Sequence, residues 1–103
     1  MKTEKSGMLS AAEVKAQREQ GENVMLVCAY DDQQNFERIG IEGSMSFPEF
    51  QKKQAELTKG SKVVFYCDCP HDELAVMKTE EMQKQGFSNA AAMDGGINAW
   101  ANA

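Results

Sequence analysis

Cys67, Cys69 and His71 put two thiols and an imidazole within one short run, KVVFYCDCPHDE, from Lys62 to Glu73. A deprotonated thiol attacks electrophilic sulfur, and a second thiol nearby can accept, resolve or form a disulfide. Val63 to Tyr66 is apolar enough for a buried strand, and Cys67 stands where that run stops. A helix is expected from about Asp72 to Gln85, ended by Gly86. A cysteine between a strand end and a helix start is where α/β proteins place reactive groups. The helix N-terminal N–H groups there favour an anionic sulfur. Cys67 is the first candidate nucleophile and Cys69 the second. For each, the structural alternative is an ordinary cysteine, buried for Cys67 and exposed for Cys69. Cys67, Cys69 and His71 also make C-x-C-x-H, but structural zinc needs a fourth ligand at a different spacing. We expect no metal and no cofactor, with His71 near the helix start polarising a thiolate.

The charges around these thiols are acidic. Asp68, Asp72 and Glu73 surround them with Pro70, and no Lys or Arg occurs between Lys62 and Lys78. A loop built for thiosulfate, phosphate or arsenate offers cations beside its backbone N–H groups. Carboxylates repel such anions. Asp72 and Glu73 equally suit the start of a helix. Cys28 ends another apolar run, NVMLVC, and is either a neighbour of the loop thiols or a small core residue.

Elements must bring these residues together. The chain has 103 residues, enough for one modest core, and its net charge of −5 argues against nucleic acid or an anionic membrane as partner. No stretch is long and apolar enough to span a bilayer, and the N-terminus has no apolar signal core. Three cysteines, two of them in one C-x-C, fit a reducing compartment, so the cytoplasm is expected. Residues 1–8 read as a loose lead-in and residues 9–103 as one domain. Ser10-Ala11-Ala12-Glu13 is a capping box that opens a helix to about Gln20, with Val14 inward. Asn23 to Cys28 suits a strand buried on both faces. Residues 29–42 read as a long polar loop with a turn of helix around Phe36 and Ile39.

Gly43 to Phe47 is a short strand candidate. Pro48 opens a helix to Leu57 that buries Phe50, with Ala55 and Leu57 as further candidates. In the helix after Cys67, Leu74, Met77 and Met82 form the expected apolar face. Ala90 to Met93 is a last strand, Asp94-Gly95-Gly96 a turn, and Ile97 to Trp100 a final helical turn. Strands alternating with helices predict an α/β sandwich around a mostly parallel sheet. The pattern assigns no oligomeric state. The methionines read as core filler.

VVFYC ending at Cys67, GFSNAAAMDGGINAW from Gly86 to Trp100, and NVMLVCAY with IGIEGSMSF together resemble a rhodanese-like (sulfurtransferase-like) domain. The resemblance runs from about Leu9 to Trp100. It implies a three-layer α/β domain whose cysteine at position 67 carries sulfur as a persulfide. The partners it implies are a small-molecule or protein-borne sulfane sulfur donor and a thiol acceptor. Departures are visible. The family's D-x-R reads Cys28-Ala29-Tyr30, its usual histidine is Gly40, and the loop arginine is absent. Cys67-Asp68-Cys69-Pro70 is similar to a smaller subgroup with a C-x-C-P loop, in which some members carry selenocysteine at the second position. The residue that would be arginine in a phosphatase-type C-x5-R is Glu73. Two alternatives stand beside sulfur transfer: a module cycling Cys67 and Cys69 between dithiol and disulfide, and a non-catalytic binding module whose site has lost the usual side chains.

Overall fold

Strand β3, Lys62–Tyr66, carries the alternation that builds two cores. Val63 and Phe65 turn to one side of the sheet with Cys67 beyond them, and Val64 and Tyr66 turn to the other. This is the period-2 geometry of an extended chain, and burial on both faces is why the run is apolar throughout. The computed structural model describes residues 8–21, 24–41, 43–57, 61–67, 73–87 and 89–102.

The described elements alternate. β1 (Met8–Ser10) leads into α1 (Ala11–Glu19), β2 (Val24–Cys28), α2 (Gln33–Ile39) and α3 (Phe47–Lys53). A 3-10 turn over Gln54–Glu56 precedes β3, followed by α4 (Glu73–Lys84), β4 (Ala90–Asp94) and α5 (Gly96–Asn102). The sheet order is β1-β4-β3-β2 and every pairing is parallel. β3 is therefore interior, and all strand ends that precede helices lie along one edge. In register, Cys28 stands opposite Tyr66 and Val63 opposite Ala90. Residues of α3 and α4 share one core with Val27, Val63 and Phe65; those of α1 and α2 share the other with Leu26, Val64 and Met93. The result is the expected α/β sandwich.

Local chemistry explains several boundaries. Ser10 caps α1 by accepting from the Glu13 N–H at 3.0 Å, and Glu13 accepts from the Ser10 N–H at 2.9 Å. A second capping box was not anticipated. Ser46 and Glu49 form it, so α3 starts at Phe47 with Pro48 already inside the first turn. α2 replaces most of the expected loop, because Asp32 caps it through the Asn35 N–H. Bonds from the Asn35 side chain hold the Asp32 carboxyl below its ordinary range.

Other expectations shift. Met8, expected in the lead-in, begins strand β1 with Leu9 and Ser10, and residues 1–7 lie outside the described residues. The strand expected at Gly43 to Phe47 is a single parallel bridge between Met45 and Val27. The buried stripe of α4 is Ala75, Thr79 and Met82, with Leu74 packed against the same core; of the expected face Leu74, Met77 and Met82, only Met77 turns away. Met77 is 48 % exposed and Leu74 is half-buried. Thr79 is tolerated inside because its hydroxyl donates to the Ala75 carbonyl at 2.8 Å. Ala55 is exposed, while Phe50 is fully buried.

Candidate active site

Cys67 follows β3 at the edge of the sheet where the parallel strands end. Its carbonyl accepts the Ile97 N–H at 3.2 Å, so the first turn of α5 is tied to the strand end. The adjacent Tyr66 carbonyl accepts the Ala29 N–H at 2.8 Å, which extends the β2–β3 ladder past Cys28. Backbone bonds from both sides therefore fix where Cys67 leaves the sheet. Its side chain is 0 % exposed, in the core cluster that also holds Val27, Ala29, Phe47 and Ala75.

Cys28 is equally buried but belongs to the opposite core, with Tyr66, Ile39 and Ile41. The structure thus brings Cys28 to Tyr66 and separates it from Cys67 by the sheet. Alternation accounts for this, since Cys28 is in register with Tyr66 and Cys67 is one residue further on. Glu73 is exposed at the start of α4. Asp68, Cys69, Pro70, His71 and Asp72 lie outside the described residues, as does the expected helix start at Asp72.

Two features at this end of the molecule escaped the sequence. The Tyr66 hydroxyl accepts the Ile41 N–H at 3.1 Å and shares a 3.0 Å hydrogen bond with Ser44 Oγ. Burial pushes the Tyr66 phenol above its ordinary range; bonds from Ser44 and Ile41 oppose that, and Cys28 adds to it. The second feature is an ion pair. Lys78 Nζ on α4 lies 3.0 Å from Asp31 Oδ1 and 4.0 Å from the centre of the Phe47 ring. Neither had a local signal: Tyr66 reads as one more apolar strand residue, and Asp31 and Lys78 are 47 residues apart.

Gly40 is the C-cap residue of α2, at the position where the family resemblance leads one to expect histidine. A Cβ there would meet the Phe36 carbonyl oxygen at 2.7 Å, so a side chain requires the end of α2 to move. Among the described residues no helix is long and apolar enough to cross a membrane.

A parallel sheet between helices, with a cysteine just past the end of an interior strand, defines an α/β domain of the strand-end-cysteine type. Residues 7–103 match the family model described as a rhodanese-like domain, and the chain belongs to that family. Solved structures agree on the fold. The rhodanese-like domain of the Alr3790 protein from Anabaena sp. is 22% identical, with a TM-score of 0.74 over 93% of this chain and 74% of that one. The BH2092 protein from Bacillus halodurans is 20% identical, with a TM-score of 0.76 over 94% of this chain and 72% of its own. RPA3614 from Rhodopseudomonas palustris, described as a protein of unknown function and possible tyrosine phosphatase, is 24% identical. Its TM-score is 0.72, over 92% of this chain and 79% of that one. A search of curated proteins found no match.

Proposed function

We propose that this rhodanese-like domain transfers sulfane sulfur through Cys67, with Cys69 of a C-x-C-P loop as the second thiol. The observation that carries the reading is the position of Cys67. It follows an interior parallel strand, and its carbonyl is held by the Ile97 N–H at 3.2 Å. A nucleophile needs such a fixed departure point. In the reaction, the Cys67 thiolate forms a bond to the outer sulfur of a persulfide, R–S–SH. The donor's sulfur–sulfur bond breaks, and R–S⁻ leaves with the electron pair. The Cys67 persulfide then gives that sulfur to an acceptor thiolate, and the Cys67 thiolate is regenerated. Each half is a sulfur exchange, so no outside oxidant or reductant is consumed. The donor is a small-molecule or protein-borne persulfide and the acceptor a thiol, and the cytoplasm is the compartment that keeps acceptor thiols reduced.

The phosphatase description of one structural neighbour has little support in this chain. The sixth residue after Cys67 is Glu73, an exposed carboxylate where a phosphate-binding loop needs arginine. The complete burial of the Cys67 side chain favours one competing reading, a non-catalytic binding module. Intact-mass measurement after exposure to an alkyl persulfide separates these readings. A gain of one sulfur atom that Cys67→Ser abolishes and Cys69→Ser retains supports sulfur transfer through Cys67. Loss of two hydrogens, reversed by reductant and dependent on both cysteines, indicates a dithiol–disulfide module. An unchanged mass indicates the binding module.

A further inference from the structure

The pair formed by Asp31 and Lys78 sits at the same end and on the same side of the sheet as Cys67. Asp31 lies just past β2, at the edge where the strands end. Phe47 follows Met45, which is bridged to β2 at Val27, and its ring shares a core cluster with Cys67 and Ala29. Lys78 lies within the first two turns of α4, and its ammonium rests on that Phe47 ring at 4.0 Å. The other lysines around this stretch are placed differently. Lys62 starts β3, at the opposite end of the strand from Cys67, and Lys84 ends α4. Lys78 is thus a cation beside the candidate site, and its charge is met by Asp31 at 3.0 Å.

We propose that Asp31 is a specificity-determining residue, neutralising Lys78 so that the site beside Cys67 discriminates against multiply charged anionic sulfur donors. The inference rests on the sulfur-transfer reading and concerns which donors that site takes. Its physical basis is the asymmetry of the pair: the Lys78 side chain is 13% exposed and that of Asp31 73%. Packing on the Phe47 ring at 4.0 Å holds the ammonium whether or not Asp31 carries charge. Asp31→Asn therefore removes the neutralising charge and leaves the cation in position. Solvent screens so exposed a carboxylate, so its loss has little effect on folding. Thiosulfate is the informative donor. The Cys67 thiolate bonds to its outer sulfur, the sulfur–sulfur bond breaks, and sulfite leaves with the electron pair. Both donor and leaving group are dianions, which an uncompensated ammonium favours.

The test compares two donors on wild type, Asp31→Asn, Lys78→Met and the double variant. Thiosulfate is one donor. Cysteamine persulfide, whose ammonium balances its persulfide anion, is the other. The readout is the half-saturating donor concentration for loading sulfur on Cys67, followed by intact mass. Asp31→Asn should shift the ratio of the two concentrations toward thiosulfate by about three- to tenfold, a gain that added salt diminishes. The double variant should lose the gain, because Lys78→Met keeps an unbranched stem on Phe47 without the charge. An unchanged ratio in Asp31→Asn, or an equal gain in the Lys78→Met background, overturns the inference while wild-type loading by cysteamine persulfide leaves sulfur transfer standing. A wild type that loads from neither donor overturns both.

Discussion

Tyr66 precedes Cys67 by one residue and turns to the other side of the sheet, so the two residues at the strand end serve different cores. The phenol fastens the segment after α2 to β3 through the Ile41 N–H and Ser44 Oγ. Tyr66→Phe keeps the ring and leaves both groups without that partner. The expected loss at neutral pH is about 1–3 kcal/mol, measured by urea unfolding. The same variant changes the alkaline limb. Burial raises the folded phenol above the ordinary value of 10.0. The unfolded chain then ionises first, so the contribution is intact below pH 10 and is lost as pH rises from there through the folded value. Wild type should lose stability above that pH faster than Tyr66→Phe does. Parallel alkaline limbs in the two proteins would refute this account of Tyr66.

At the scale of elements, α5 connects the closing turn to Cys67. Gly95 has φ +84, in the left-handed region, and a Cβ on it would meet Ala99 Cβ at 2.5 Å. Gly95→Ala should therefore cost about 1–3 kcal/mol from backbone strain and from pushing α5 away. Ile97 should exchange its amide hydrogen faster as its bond to Cys67 loosens. Adding Ala99→Gly should recover the steric share and leave the backbone share, a partition that the double variant measures by urea unfolding. The sequence revealed this turn because glycine pairs after an apolar run have few other uses. It revealed the Ser10 capping box and the strand before Cys67 for similar reasons, each being a contiguous pattern. What it concealed depended on partners. Three residues of β1 have too few positions to show a period, and their pairing with β4 is distant in the chain. Pro48 drew the start of α3 two residues past its cap at Ser46. Thr79 disguised the buried stripe of α4, since its hydroxyl is satisfied within its own helix. At the candidate site, the end-of-strand position of Cys67 was legible, but the face on which Cys28 lies depended on register. The ion pair between Asp31 and Lys78 existed only in the folded chain.

At the scale of the molecule, two cores share one sheet, and β3 contributes alternate residues to each. Phe47, Phe50 and Phe65 pack on the α3–α4 side, with Phe50 and Phe65 edge to face at 5.6 Å between ring centres. Trp100, the single tryptophan, reports from the other side, where Lys15 Nζ lies 4.9 Å and Arg18 Cζ 5.6 Å from its ring centre. The two cores meet at β3, because Val63 and Val64 are adjacent on one backbone and fully buried on opposite sides. Phe50→Ala should cost about 3–5 kcal/mol, a large share of the ~5–15 kcal/mol typical of a domain. The distinguishing measurement follows unfolding of that variant in urea by Trp100 fluorescence and by far-ultraviolet circular dichroism. If the sheet couples the cores, the cavity on the phenylalanine side moves the tryptophan transition by the same amount, and the two curves coincide. A fluorescence midpoint that stays at the wild-type value while the dichroism midpoint falls would mean that the cores melt independently. In that case the Ile97 bond to Cys67, which joins a helix of the tryptophan side to a cysteine of the phenylalanine side, would be too weak to keep the site in register.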